Sequence, residues 1–225
     1  MSASDWLALK TTLELAALTT LVLLMLGTPL AWWLASTRSR MAVVIEAVVA
    51  LPLVLPPTVL GFYMLVALGP NGLIGGLMES LGLPHLAFTF TGLVLASTLY
   101  SLPFMVQPLK DAFAAVGTRM TEAAATLRAS TRDSFFSIVL PLSRRGLLTA
   151  ITLTFAHTLG EVGVVLMVGG NIPGQTRVLS IALYDHAESM DYAGAGLLAG
   201  GLLAASFLML LSVYALNRRY RVVHP

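Results

Sequence analysis

The sequence predicts an all-α integral membrane protein with about five transmembrane helices. Of its 225 residues, 57% are hydrophobic and 11% are charged. A soluble domain carries about 25% charged residues, so this chain has too few to cover a globule. Five stretches reach the roughly 20 apolar residues that a helix needs to cross the hydrocarbon. Between them, lysine and arginine fall almost entirely on one side.

The first span covers about residues 11–36. Its apolar run is too long for a signal peptide, and no small-x-small cleavage site follows before Arg38. The second, about 42–68, contains Pro52, Pro56 and Pro57. Each proline removes a ladder hydrogen bond. Unpaired backbone is costly in lipid, so the segment should face protein or a water-filled path. Two readings remain open: a kink that aids packing, or a pore lining helped by Thr58 and Gly61.

The third span covers about 88–109, the fourth about 147–168 and the fifth about 193–216. The fourth carries His157 and Glu161, one helical turn apart. Ionisable groups in a membrane are costly and face the bundle interior. An ionised Glu161 repels an anion, so a gate or subunit contact, paired with His157 or a backbone group, fits it better than a substrate ligand. A satisfied packing residue is the alternative. Gly160 and Gly163 flank it and allow close helix approach. After this span, Asn171, Pro173 and Gly174 mark a turn. It leads to Arg177, either a contact for an acidic partner or a solvated charge. Residues 74–81 and 178–186 suit short elements that do not span.

Eleven of the thirteen basic residues lie on one side of these spans: Arg38, Arg40, Lys110, Arg119, Arg128, Arg132, Arg144, Arg145, Arg218, Arg219 and Arg221. Only Lys10 and Arg177 lie on the other. The positive-inside rule makes the first side cytoplasmic, with the N-terminus outside and the C-terminus inside. Trp32, Trp33, Tyr214 and Tyr220 suit an aromatic belt at the inner interface. No Lys or Arg lies within a span.

The segment 117–141 is thus a cytoplasmic loop. Alanine, methionine, glutamate and leucine make 117–127 a helix. Ser130 and Asp133 form a capping-box pattern that starts a second helix, and Pro141 should end it. A lone helix-turn-helix with no basic stripe gives no case for nucleic acid. An ordinary amphipathic loop on the bilayer surface is the plain alternative.

Glu122, Ala123, Ala124, Ala129, Ser130, Phe135, Leu140 and Pro141 are similar in spacing to the EAA motif of ABC importer permeases. There the motif is the coupling helix that docks in a groove of the cytoplasmic ATPase. One position departs: Arg128 stands where the family has glycine. A left-handed turn there costs roughly 1 kcal/mol without glycine.

The stretches LPLVLPPTVLG, from Leu51, and LGEVGVVLMVGGNIPGQTR, from Leu159, resemble those of the molybdate ABC transporter permease family. Tungstate and sulfate permeases share parts of the pattern. The resemblance covers nearly the whole chain as a single permease domain, residues 1–225. It implies a type I importer fold and two copies lining one pathway in a bacterial inner membrane. It also implies ATPase subunits that hold ATP and magnesium, and a periplasmic molybdate-binding protein. The chain itself should bind no cofactor and catalyse nothing, since it contains no G-x-x-x-x-G-K-[ST] loop. A channel or ion-coupled carrier would call for an intramembrane ion-coupling set and an internal repeat. An enzyme or metal site would need clustered ligands, and His85, His157, His186 and His224 are scattered, with no cysteine present.

Overall fold

A computed structural model describes residues 2–219. Tyr220, Arg221 and His224 lie outside the described residues, as do the side chains of Arg218 and Arg219. Every element among the described residues is helical.

Helix α1 (Ala3–Ser36) starts earlier than its apolar run because Ser2 and Asp5 form a capping box. The next span is two helices, α2 (Met41–Val54) and α3 (Pro57–Leu68), separated at Leu55 and Pro56. Leu55 is extended, as a residue before proline prefers. Short α4 (Leu73–Ser80) follows. Helix α5 (Phe90–Val116) runs two turns beyond its predicted end. Lys110 therefore lies inside a helix, which corrects the expectation that the spans hold no lysine or arginine.

The loop holds α6 (Thr118–Thr126), α7 (Thr131–Ser134), a π-helical turn over Phe135–Val139, and α8 (Leu140–Leu142). The predicted fourth span is again two helices, α9 (Arg144–Gly160) and α10 (Gly163–Gly169). Helix α11 (Leu179–Glu188) is short and tucked against the body, and α12 (Tyr192–Arg219) closes the chain. Four helical stretches are long and apolar enough to cross a membrane: Ala3–Ser36, Pro57–Ser80, Phe90–Val116 and Tyr192–Asn217. The pair Thr131–Leu142 and Arg144–Gly160, bent by 76°, makes a fifth.

Helix α5 is the central post, packed against α1, α2, α9 and α10. At the end that carries the arginine-rich loop, the basic end, Leu23, Val49, Met105, Leu109, Phe113 and Val139 form one core cluster. Toward the opposite, acidic end a second cluster joins Leu60, Leu68, Ala96, Val164 and Val168 from α3, α5 and α10. Trp33 and Tyr214 face outward as belt residues do. Trp32 does not: its ring packs against Phe113 and Phe135, with centroids 5.9 and 5.4 Å away.

Candidate functional site

The loop shows how local chemistry fixes its shape. At the end of α6, Arg128 adopts φ +62°. Its N–H bonds the carbonyl of Ala125 at 3.0 Å, and the N–H of Ala129 bonds that of Ala124 at 3.1 Å. This pair of bonds is a Schellman ending, with Arg128 in the left-handed position that glycine usually fills. The turn is therefore built in the ordinary way and carries the strain. Ser130 then caps α7 by accepting from the Asp133 N–H at 3.2 Å.

Pro141 does not end the second helix, which runs on to Leu142. The π-turn just before it, with the Leu140 N–H bonded to the Phe135 carbonyl, takes up the irregularity that proline imposes. Phe135 is the anchor, its ring 5.7 Å from that of Phe113. Glu122, Ala123 and Ala125 remain exposed, as do Met120 and Leu127, the last 84% exposed. Ala124 alone of the motif's first triplet is buried. Behind α6 a 370 Å³ cavity is bounded by Trp32, Phe113, Glu122, Ser134 and Val139.

The second region lies where both broken spans meet. Helix α2 rises about 21 Å and α9 about 25 Å from the basic end before breaking. The breaks thus reach similar depth. A side chain at Gly163 would come within 2.6 Å of Pro57 Cβ, and one at Gly61 within 2.8 Å of Met167 Cβ. These two glycines let α3 and α10 approach closely, as small residues do in membranes. Gly160 does not share that role, since a Cβ there meets nothing within 4 Å. It borders a 450 Å³ cavity with Pro57, Tyr100, His157, Glu161 and Gly163. Pro52 is buried in α2 on the basic-end side of the breaks. Pro56 caps α3 and Thr58 is exposed beside it.

Glu161 and His157 do not share a helical face, as their spacing suggests. The helix stops at Gly160 and Glu161 is extended, with φ −71° and ψ 127°. Glu161 is 5% exposed, and neither carboxyl oxygen has a hydrogen-bond partner among the described residues. Its backbone carbonyl, freed by the break, accepts from Ser180 Oγ of α11 at 2.6 Å. His157 instead stacks on Phe104 at 3.9 Å and meets Tyr100 at 4.7 Å. Its Nδ1 lies 2.9 Å from Ser101 Oγ, which is 3.2 Å from Thr158 Oγ1. Thr158 donates to the Thr154 carbonyl at 3.0 Å. Assigned from this network, the donors run from His157 Nδ1–H through Ser101 to Thr158, leaving Nε2 as an acceptor.

Tyr100, Ser101, Phe104 and Ser180 gave no motif in the sequence. A hydroxyl in an apolar stretch was the available signal for Tyr100, Ser101 and Ser180, and Phe104 offered none.

At the acidic end, Arg177 is a paired rather than a lone charge. It pairs with Asp185 at 3.0 Å, and Asn171 donates to the same carboxylate at 2.7 Å. Pro173 and Gly174, with φ +74° at the glycine, form the exposed tip. Nearby, His186 reaches Asp191 through Nδ1 at 2.7 Å and Asp5 through Nε2 at 3.2 Å. The hydrogen bonds to Asp5 and then Asp191 hold the imidazole pKa above its usual 6.5. No group of three or more potential metal ligands occurs among the described residues.

Residues 27–225 match the family model described as the binding-protein-dependent transport system inner membrane component. The chain is 59% identical to the molybdenum transport system permease protein ModB of Azotobacter vinelandii, over 98% of this chain and 97% of that protein. It is 31% identical to the sulfate transport system permease protein CysT of Salmonella typhimurium, over 95% of this chain and 76% of that protein. Among solved structures, it resembles a bacterial ABC transporter that imports the acidic polysaccharide alginate. The TM-score is 0.80 at 17% identity, covering 99% of this chain and 82% of that one.

Proposed function

Because this chain belongs to the family of binding-protein-dependent transport system inner membrane components, we propose that it is the permease subunit of an ATP-driven molybdate importer. The observation that carries this reading is the near-complete likeness to a molybdenum permease. The chain is a multi-pass inner-membrane protein. Its basic end faces the cytoplasm and its acidic end the periplasm, as the charge distribution favours.

The exposed face of α6 is what an ATPase groove would grip: Glu122, Ala123 and the turn Arg128–Ser130. Phe135, wedged between Trp32 and Phe113, ties that contact to α1 and α5. Leu140 and Pro141 pass it on to α9. ATP and magnesium belong to the partner ATPase. Two copies of the chain, bedded in lipid, form one route at their interface, in which the cavity around Pro57, Tyr100, His157 and Glu161 is a gate. The exposed tip at Pro173 and Gly174, beside Asn171, faces the periplasmic binding protein. Arg177 supports that tip from below through Asp185. ATP closure draws the paired loops together and rocks the helices, which is alternating access at a subunit interface.

Reconstitution with its ATPase and binding protein in proteoliposomes tests this. ATP-dependent molybdate uptake is expected, with tungstate competing and sulfate competing weakly. Preferred uptake of sulfate would establish the runner-up reading, which the likeness to a sulfate permease favours.

A further inference from the structure

Lys110 is the one basic residue inside α5, and it forms an ion pair with Glu46 of α2. A second carboxylate, Asp111, lies 3.9 Å from the same amine. Glu46 sits about 8 Å into α2 from Met41, and Lys110 about 9 Å inside the Val116 end of α5. Both are thus held within helices rather than in a loop. Their side chains stay accessible, Lys110 at 23% and Glu46 at 45%. Charged groups at such depth avoid lipid and face a bundle interior or a water-filled route.

The placement relative to the gate is the second observation. Glu46 lies about 15 Å before Pro56 on its helix, and Lys110 about 15 Å beyond Tyr100 on its own. Pro57, next to Pro56, and Tyr100 both line the 450 Å³ cavity. Helix α5, which lines the cavity, and α2, which leads into the cavity-lining α3, are therefore joined by a charge pair on its cytoplasmic side. Between them, Phe104, Gln107 and Lys110 follow one another at three-residue steps along α5, so neighbouring side chains adjoin. The cavity itself presents an unpartnered carboxyl and a histidine acceptor, which suit an anion poorly. Lys110 is the first cation met beyond it.

We propose that Lys110 receives the oxyanion as it leaves the gate, and that Glu46 is the counterion the oxyanion displaces. This rests on the importer reading above. An ammonium is a compact point charge that suits a tetrahedral oxyanion passing through. The half-exposed Glu46 can swing into water while its place is taken. Glu46 then returns to Lys110, which stops the anion from lingering at the mouth.

The test uses the full transporter in proteoliposomes, measuring uptake of labelled molybdate beside binding-protein-stimulated ATPase. Lys110→Ala is expected to lower uptake about tenfold, the loss of one charge-assisted contact, with stimulated ATPase little changed. Lys110→Arg should keep most uptake. Glu46→Gln should lower uptake less than Lys110→Ala does, since the receiving cation remains and only the returning counterion is lost. Equal damage from Lys110→Ala and Glu46→Gln, cured by the exchange Glu46→Lys with Lys110→Glu, would make the pair a structural clasp and overturn the proposal. Normal uptake by Lys110→Ala would overturn it too. If Lys110→Ala fails to assemble, Glu46→Gln and Lys110→Arg still decide, because a loss of about tenfold in Glu46→Gln alone contradicts an anion-receiving lysine. A wild-type transporter that carries sulfate rather than molybdate refutes only the substrate, and the same variants are then read with labelled sulfate.

Discussion

The two interrupted spans meet at one cavity but are broken by different means. Between α2 and α3 the cause is covalent. Pro56 and Pro57 lack donors, and Leu55 is pushed into an extended conformation that needs no outside help. Between α9 and α10 no proline is present. That break is held from elsewhere: Ser180 of α11 satisfies the freed carbonyl of Glu161, and Gly163 beds against Pro57. One interruption is written where it occurs, and the other is written in its neighbours. The proline break can therefore exist before the bundle packs, whereas the glutamate break forms with it.

The sharpest way to break this comparison is Gly163→Leu. Its side chain would run into Pro57, which sits 2.6 Å from a Cβ there. Overpacking of this kind costs about 1–3 kcal/mol. We expect a lower melting temperature in detergent and loss of uptake. Unchanged stability would show the two breaks to be independent. Glu161→Gln keeps the shape and removes the ionisable group. It should lower uptake several-fold while the binding protein's affinity for the anion stays as it was, and normal uptake would reduce Glu161 to packing.

Ser180→Ala removes the one side-chain donor to the Glu161 carbonyl among the described residues, at about 1 kcal/mol. Faster hydrogen exchange at α10, with α3 unaffected, is the expected sign. Equal change at both would erase the distinction. Arg128→Gly acts on the third interruption, the loop turn, and relieves about 1 kcal/mol of left-handed strain. ATPase association should hold or improve, and its loss would give the guanidinium a contact of its own. The smallest effect is with pH. His186 has a raised folded pKa, so its grip on Asp5 and Asp191 is full below the ordinary value and fades as pH rises through the folded one. The melting temperature should drop slightly between about pH 6 and about pH 8, and His186→Ala should flatten that slope.

What could be read in the sequence follows the same division. The apolar runs, the Ser130 cap and the proline break depend on residues adjacent in the chain, and each stands in the structure. The Ser2 and Asp5 capping box was equally readable but lay in a polar lead that hydropathy passes over. The early end assigned to the third span has a related cause. Lys110 and Asp111 look like a boundary, yet Glu46 neutralises the lysine from another helix and α5 continues to Val116. The separation of Glu161 from His157 rests on a contact across the fold, and the pairing of Arg177 with Asp185 on how the loop folds back over α11. No local spacing announces them.

Arg128 in its left-handed turn has a consequence for how this protein can vary. Arginine and glycine codons differ by a single base, so the unstrained version of the turn is one mutational step away. A selection for suppressors of a weakened ATPase contact would sample that step early. The tension at Arg128 is thus a heritable setting that a lineage can readily undo.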